Sequence, residues 1–398
     1  MPPFDATTPV VVIRCARHGG LGITRTLGRL GVPVYNIDES KHAPAFYSRY
    51  SSGHFTWDAE AEKPENTVRF LTQVAEKIGR RSILIPTSDG TAMFAAENVA
   101  QLEKWYDFPR VQPDLVREFA SKREMFFLAK KHGVPTPECV FPETRAELVD
   151  SISRIQFPVM AKGIFGIDLG RKAGARMRVI HDRAELLDFY DRYEDWANPN
   201  IMLQEFIPGA ADTSWMFNGY FDANSDCLLS FTGYKIRQYP AYTGLTSLGQ
   251  CVANETVAKT TRDFMKACGY RGILDIGYRY DARDGLYKVM DINPRVGASF
   301  RLFLGTNGMD VVRALYLNMT GQHVDSAPVK EGRKWLVEDC DLISCVRYFR
   351  DGELNFKKWL TSHRGVEEVG VFAMDDPIPA FWMGVRDVGM LLGHKQGI

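Results

Sequence analysis

Tyr287-Lys-Val-Met-Asp291-Ile-Asn293-Pro-Arg295 is the stretch on which the fold turns. It reads as a strand, and Pro294, with no amide hydrogen to give a ladder, ends it. Alternation places Val289, Asp291 and Asn293 on one face. A carboxylate and an amide oxygen two residues apart at a strand end form half of an octahedral oxygen site of the kind Mg²⁺ prefers. Arg295 follows at once and can hold a phosphate or a carboxylate in its planar fork. The same residues also suit a plain surface strand ending in a polar turn, so the choice rests on the rest of the chain.

Immediately upstream, Gly272-Ile-Leu-Asp275-Ile-Gly-Tyr-Arg-Tyr280 is a second strand and Asp281–Gly285 a turn. Together they predict a hairpin with Asp275 on one arm and Asp291 and Asn293 on the other. Further out, Ser121-Lys122-Arg-Glu124 is a capping box that opens a helix over 122–131. Phe157-Pro-Val-Met-Ala-Lys162 is a short strand with a lysine at its end, and a lysine on a buried strand calls for an anion. Gly163, Gly166, Gly170 and Gly174, with Arg171 and Lys172 among them, predict a mobile lid that folds over phosphates. Met202-Leu-Gln204-Glu205-Phe206-Ile207-Pro-Gly209 is a strand broken by Pro-Gly, leaving backbone groups for an adenine edge and Glu205 or Asp212 for a ribose. An ordinary hairpin exit accounts for Gln204 and Glu205 equally well.

The amino-terminal third opens with a βαβ pattern: Val10–Ile13, a helix over 23–30 after His18-Gly-Gly-Leu-Gly22, and a strand over 32–37. It superficially matches a dinucleotide fingerprint, but the third glycine position falls on Arg25, and a tight turn packing a helix on a sheet explains it as well. A strand over 82–86 leads through Ser88 and Asp89 into a helix over 91–105; Ser88 or Asp89 contacts a small substrate, or Asp89 caps the helix. Strands over 215–222 and 228–236 carry Lys235 and Arg237 at their far end. A flexible stretch over 239–249 and an amphipathic helix over 257–268 follow. From about Lys330 the chain turns to short aromatic and charged elements, which read as an appended part with no chemistry of its own.

Composition sets the bounds. The 398 residues suffice for two or three domains, and 49 basic residues balance 49 acidic ones. That balance speaks against a nucleic-acid tract or a membrane-surface patch. Seven scattered cysteines without a C-x-x-C spacing point to a reducing compartment and away from zinc. No secretory signal is visible, and the longest apolar stretch, 380–393, is interrupted by Arg386 and Asp387 and too short for a bilayer. The expected location is cytoplasmic.

Lys122, Lys162, the 204–209 segment, Asp275 and Asp291-x-Asn293-Pro-Arg295, in this order and spacing, resemble the ATP-grasp superfamily over roughly residues 5–320. The nearest likeness is to carboxylate–amine ligases of the D-aspartate ligase-like subgroup, which the 235–240 segment and Trp335 and Asp341 also resemble. The resemblance implies an α/β and α+β architecture: a Rossmann-like preATP-grasp domain over 1–115, a two-lobed ATP-grasp domain over 116–325 with its lid lobe at about 140–205, and a carboxy-terminal extension over 326–398. It implies ATP and Mg²⁺ as cofactors. Lys122 and Lys162 match the phosphate-contacting lysines, Gln204, Glu205, Phe206 and Ile207 the adenine hinge, and Asp212 the ribose acid. Asp291 and Asn293, with Asp275, match metal ligands, and Arg295 the arginine near the transferred group. Two departures stand out: Asp291 replaces the usual glutamate, and Gly277 stands where close relatives carry the first metal carboxylate.

The implied reaction is an acyl-phosphate ligation: phosphoryl transfer activates a carboxylate and an amine then attacks it. Lys162 works during transfer, and Arg295 or Arg237 stabilises the oxyanion. The partners implied are a small carboxylic acid and an amine, amino acids among them, with no nucleic acid and no membrane; a homodimer is left open. The competing readings are a nucleotide-binding regulatory protein with a degenerate site, which Gly277 favours, and a nicotinamide oxidoreductase using Gly20 and Gly22.

Overall fold

Runs of branched and aromatic residues gather into three sheets in the computed structural model, which describes residues 4–391. The first comprises β1 (Val10–Ile13), β2 (Val34–Asp38), β3 (Ser51–Thr56), β4 (Ser82–Pro86) and β5 (Tyr106–Asp107). All pairs are parallel and the order is β3-β2-β1-β4-β5. β1 is buried along its whole length, as a central strand covered by helices on both faces must be. The order reverses between β1 and β4, which opens a crevice at their carboxyl ends. The first helix begins at His18, ahead of the expected Ile23, and ends at Gly28. Its glycines serve close packing: a Cβ on Gly20 would fall 2.5 Å from the Cys15 Cα, and one on Gly22 3.1 Å from the Phe300 ring. The helix expected over 91–105 is two, Asp89–Glu97 and Val99–Leu102, and its cap is Ser88, whose hydroxyl accepts from the Thr91 amide, in place of the expected Asp89.

The second sheet holds β6 (Cys139–Val140), β7 (Val159–Gly163), β8 (Met177–Ile180) and β9 (Ile201–Glu205) in the order β6-β9-β7-β8, all antiparallel. On one face Val159, Ala161, Ile201 and Leu203 pack against Leu148, Leu186, Phe189 and Tyr190 of flanking helices. Period two therefore turns Met160, Lys162, Met202 and Gln204 to the other face, toward the third sheet.

That third sheet contains β10 (Ser214–Phe221), β11 (Cys227–Tyr239), β12 (Leu245–Cys251), β13 (Gly272–Asp281), β14 (Leu286–Asn293), β15 (Lys334–Leu336) and β16 (Val366–Val369), in the order β14-β13-β10-β11-β12-β15-β16. Two expectations change here. Most of the flexible stretch over 239–249 lies in β12 and its neighbour, because Leu245–Cys251 finds β11 on one side and β15 on the other. The carboxy-terminal part does more than pack on the body: β15 and β16 extend the sheet itself. The core joins all of this, with Val10, Ile23, Phe231, Phe300, Leu315 and Trp335 in one apolar cluster. Among the described residues no helix is long and apolar enough to cross a membrane. Residues 392–393 of the apolar stretch lie outside the described part.

Candidate active site

The hairpin of β13 and β14 builds the centre of the site, and a bulge decides its chemistry. Asp275 pairs with Asn293, Ile276 with Ile292 and Gly277 with Asp291, but Tyr278 pairs with Val289. Met290 is therefore an extra residue, and one extra residue exchanges the faces of everything beyond it. Val289 packs with Ile276, Tyr278 and Ile292 in an apolar cluster, whereas Asp291 and Asn293 turn the opposite way with Asp275. The expectation that Val289 shares a face with Asp291 is thus corrected: unbroken alternation does not hold across a bulge.

Cations converge on this face. Lys122, first residue of the helix Lys122–Lys131, donates its Nζ to Asp291 Oδ1. The Ser121 hydroxyl caps that helix by accepting from the Glu124 amide, and the Lys122 amide donates to the Ile164 carbonyl beyond β7. Asn293 Nδ2 donates to Asp291 Oδ2 and to the Asp275 carbonyl, both at 3.2 Å. Arg295 donates through Nη2 to Asn293 Oδ1 at 3.0 Å and through Nε to Asp89 Oδ1 at 3.1 Å, with Nη1 3.9 Å from Asp275 Oδ2. Asp89 thereby ties the crevice of the parallel sheet to the hairpin. Gly297 clears room beside Asp275: a Cβ there would stand 2.4 Å from the Asp275 Cγ.

Charge follows from this packing. Burial pushes the Asp291 carboxyl up, but Lys122 beside it, with Arg295 and Asn293, outweighs burial and holds it at about 2. Burial pushes Asp275 up to about 6; Arg295 opposes the rise and Asp291 adds to it. Lys162 on β7 is only 8% exposed, and burial, then Lys122, push its ammonium down to about 8. Lys235 on β11 is likewise lowered by burial, with Asp275 and Asp291 opposing.

These donors fit Mg²⁺. Asp275 and Asp291 offer hard oxygen atoms on one face of neighbouring strands, and Asn293 adds an amide group between them. Asp275, raised chiefly by burial and less by Asp291, is a carboxyl whose ionised form a divalent cation would favour. Gly277, the register partner of Asp291, supplies no ligand, and a Cβ there would meet nothing within 4 Å.

The 204–207 segment lies against the same hairpin. Gln204 is buried with Nε2 3.5 Å from Met290 Sδ, Ile207 is buried and Phe206 half-buried. Glu205 is already paired with Arg283 at 2.6 Å and Lys288 at 3.3 Å, which locks the end of β9 to the hairpin. Asp212 is exposed, and its charge reaches Tyr234 and Arg279. The expected lid is ordered differently from a loose loop: Gly166–Ala173 is a helix closed by left-handed Gly174, and Asn200 holds Phe165 through both its amide and its carbonyl.

Arg237 is the residue that the fold does not bring to the carboxylates. Its Nε and Nη2 grip Asp341 at 2.8 and 2.7 Å and its Nη1 donates to Ser362 Oγ, all within the junction with the carboxy-terminal part. A guanidinium whose fork is closed on a buried carboxylate, with its remaining nitrogen on Ser362, is held at that junction and not at the hairpin carboxylates. Lys235, two residues earlier, takes its place near Asp275 and Asp291, with Nζ donating to the Gly244 carbonyl. Its signal was present in the sequence, a lysine inside an apolar strand, the same signal that marked Lys162. Arg279, which holds the Gly209 carbonyl at 2.6 Å and Ser214 Oγ at 2.8 Å, was also missed.

No protein-family model matches the sequence. The chain is 23% identical to D-aspartate ligase of Enterococcus faecium over 264 residues, 63% of this chain and 61% of that protein, so it matches less than two thirds of its relative's length. Among solved structures, N5-carboxyaminoimidazole synthetase of Staphylococcus aureus superposes with a TM-score of 0.63 at 12% identity, covering 83% of this chain and 81% of its own. The same enzyme complexed with ADP gives 0.62. L-amino acid ligase of Bacillus licheniformis superposes with a TM-score of 0.58 at 16% identity, over 78% of this chain and 74% of its own. The chain thus shares the fold of these synthetases and ligases, and its sequence is similar to that of D-aspartate ligase.

Proposed function

We propose that this protein is an ATP-dependent carboxylate–amine ligase that makes an amide through an acyl phosphate and releases ADP and phosphate. The observation that carries the reading is the convergence of Lys122, Lys162, Lys235 and Arg295 on Asp275 and Asp291, opposite the Gln204–Ile207 segment. Such a set has no use for a covalent nucleophile; it suits positioning and neutralisation of a transferring phosphoryl group. Gln204 to Ile207 offer a buried edge for adenine, and Asp212 lies where the ribose hydroxyls would come. Lys162 and Lys122 bind phosphate oxygens, and the anion raises the Lys162 ammonium back toward its ordinary range. Mg²⁺ held by Asp275, Asp291 and Asn293 would supply charge neutralisation between the phosphates. Arg295 orients the acid substrate's carboxylate and then stabilises the oxyanion formed on amine attack. The similarity to D-aspartate ligase supports an amino acid as one of the two substrates.

Gly277 favours a second reading, a nucleotide-binding regulatory protein with the clamp kept and turnover lost, because one carboxylate of the metal site is absent. Hydroxylamine distinguishes the two. With ATP, Mg²⁺ and pooled amino acids and small acids, a ligase gives a hydroxamate and an equal amount of ADP. ATP binding without either product overturns the ligase; AMP and pyrophosphate overturn the acyl phosphate.

A further inference from the structure

The helix Glu338–Arg350 turns its polar side inward. Asp341, Ser344, Cys345 and Tyr348, at i, i+3, i+4 and i+7, are all buried. Asp341 holds Arg237, Ser344 Oγ donates to the Gln238 carbonyl at 2.6 Å, and the Tyr348 hydroxyl accepts from the Tyr242 amide at 3.2 Å. The outward side is apolar: Leu342, Ile343, Val346 and Phe349, at i, i+1, i+4 and i+7, are 41–68% exposed. A surface helix ordinarily does the reverse, and a contiguous apolar stripe in water marks a contact site. Beside the stripe lies a cleft of about 380 Å³, lined by Tyr239, Pro240 and Tyr242 of the turn out of β11 and by Ile343 and Arg347 of the helix. Ile343 belongs to both stripe and cleft, so one surface carries apolar knobs next to a hole.

A surface with both knob and hole fits a second copy of itself about a two-fold axis. Two such helices crossing antiparallel at Val346 bring Phe349 of each copy opposite Ile343 of the other, at the cleft. The crossing also sets an acidic first turn, with Glu338 and Asp339 half-buried, against a basic last turn, with Arg347 and Arg350 exposed. Unlike charges and unlike dipole poles then meet at both ends, where a parallel crossing would oppose like with like. The stripe, with Phe356 and Leu360 exposed on the next helix, amounts to on the order of 600 Å² of apolar surface, and its polar rim brings a contact near the roughly 800 Å² per partner of a standard interface. A lipid surface would gain from Arg347 and Arg350 but would meet the acidic turn and leave the cleft empty. We propose that this protein forms a two-fold dimer through this face, with the helices Glu338–Arg350 crossing antiparallel at Val346 and Phe349 of each copy seated in the cleft of the other. The assignment is independent of the reaction proposed above.

Light scattering on the full chain over a dilution series tests it, and the mass expected at the concentrated end is that of two chains. Val346→Asp and Val346→Lys, at an exposed position, fold as the parent does by circular dichroism. Each sets like charges against each other across the axis and raises the dissociation constant of the dimer about a hundredfold or more. Mixed in equal amounts, the two variants pair Asp with Lys and recover the dimer. Phe349→Ala weakens the dimer about tenfold or more by emptying both clefts. A parent protein that is monomeric throughout the series overturns the proposal; binding of that monomer to vesicles of phosphatidylcholine with phosphatidylserine assigns the stripe to a membrane surface instead. A dimer that survives both Val346 changes is held by another face and overturns it as well. Variants that are monomeric alone and stay so when mixed overturn the two-fold crossing at Val346.

Discussion

Lys122 Nζ donates to Asp291 Oδ1 and so closes a loop of 169 residues between the start of one helix and the end of β14. With side chains 24% and 44% exposed, the pair faces the cleft and contributes only about 0–1 kcal/mol to stability. Lys122→Met is therefore expected to leave the melting temperature nearly unchanged. Its effect falls on nucleotide: losing a charge-assisted bond to phosphate costs about 1.5–3 kcal/mol of ATP affinity, roughly ten- to a hundredfold. Titration of ATP into the variant checks this, and unchanged affinity removes Lys122 from the site.

Lys162 gives the opposite signature. Burial, then Lys122, hold its ammonium at about 8 in the folded protein, against 10.5 for the free side chain. Between those values the unfolded chain holds a proton that the native state has released, so stability of the nucleotide-free protein rises with pH across that window. Below about 8 both states are protonated and the full penalty of the buried charge persists. Lys162→Met removes it. The variant is expected to be more stable at pH 7 by on the order of 1–3 kcal/mol, a few degrees in melting temperature, and to lose the rise above pH 8. The same change weakens ATP binding. A variant that is less stable and binds ATP normally contradicts both halves.

The chemistry-bearing positions were legible wherever one residue type breaks a local rule: a lysine in a strand at 162, a helix box at 121–124, an Asp-x-Asn-Pro-Arg at a strand end. Faces and partners were not, because they depend on register. Nothing in Val-Met-Asp291 announces that Met290 is the extra residue, yet this separates Val289 from Asp291. Arg237 and Lys235 read alike in sequence, and only the strand β15 and the helix Glu338–Arg350 decide that one pairs with Asp341 while the other remains near the carboxylates. The added strands β15 and β16 are short and were lost among charged residues, since a three-residue strand has too little alternation to be seen.

The Arg237–Asp341 pair predicts a fault in stability, not in catalysis. Both side chains are 4% exposed, and Asp341 also accepts from Ser247 Oγ at 3.0 Å. Removing one partner leaves a buried charge alone, at a cost of about 3–5 kcal/mol. Arg237→Met should lower the denaturation midpoint accordingly, while turnover per folded molecule stays within about threefold at a permissive temperature. The double variant Arg237→Met with Asp341→Leu should be more stable than either single change, since no unpaired charge remains. An Arg237→Met protein of normal stability with turnover lost would return Arg237 to catalysis.

The metal side of the site turns on Asp275 and on the space at Gly277. Asp275 shares its face with Asp291 and is held in place by the close pass of Gly297. Asp275→Asn keeps shape and removes one negative charge from the site, so the fold should be untouched or slightly firmer, because burial and Asp291 both disfavour the ionised Asp275. Turnover with Mg²⁺ should fall by about a hundredfold or more, since charge on the transferring phosphoryl group is no longer balanced. Gly277 stands opposite Asp291 in register, and a side chain there enters open space. Gly277→Asp is therefore expected to fold normally and to supply a second carboxylate beside Asp291. In the Asp275→Asn background it should restore at least a tenth of the lost activity and tighten Mg²⁺ binding, which titration of Mg²⁺ at saturating ATP measures. Full activity in Asp275→Asn alone would show that Asp275 does not hold the metal. Failure of Gly277→Asp to rescue, with melting temperature unchanged, would show that the cation sits away from the Gly277 side of the hairpin, nearer Asn293 and Arg295.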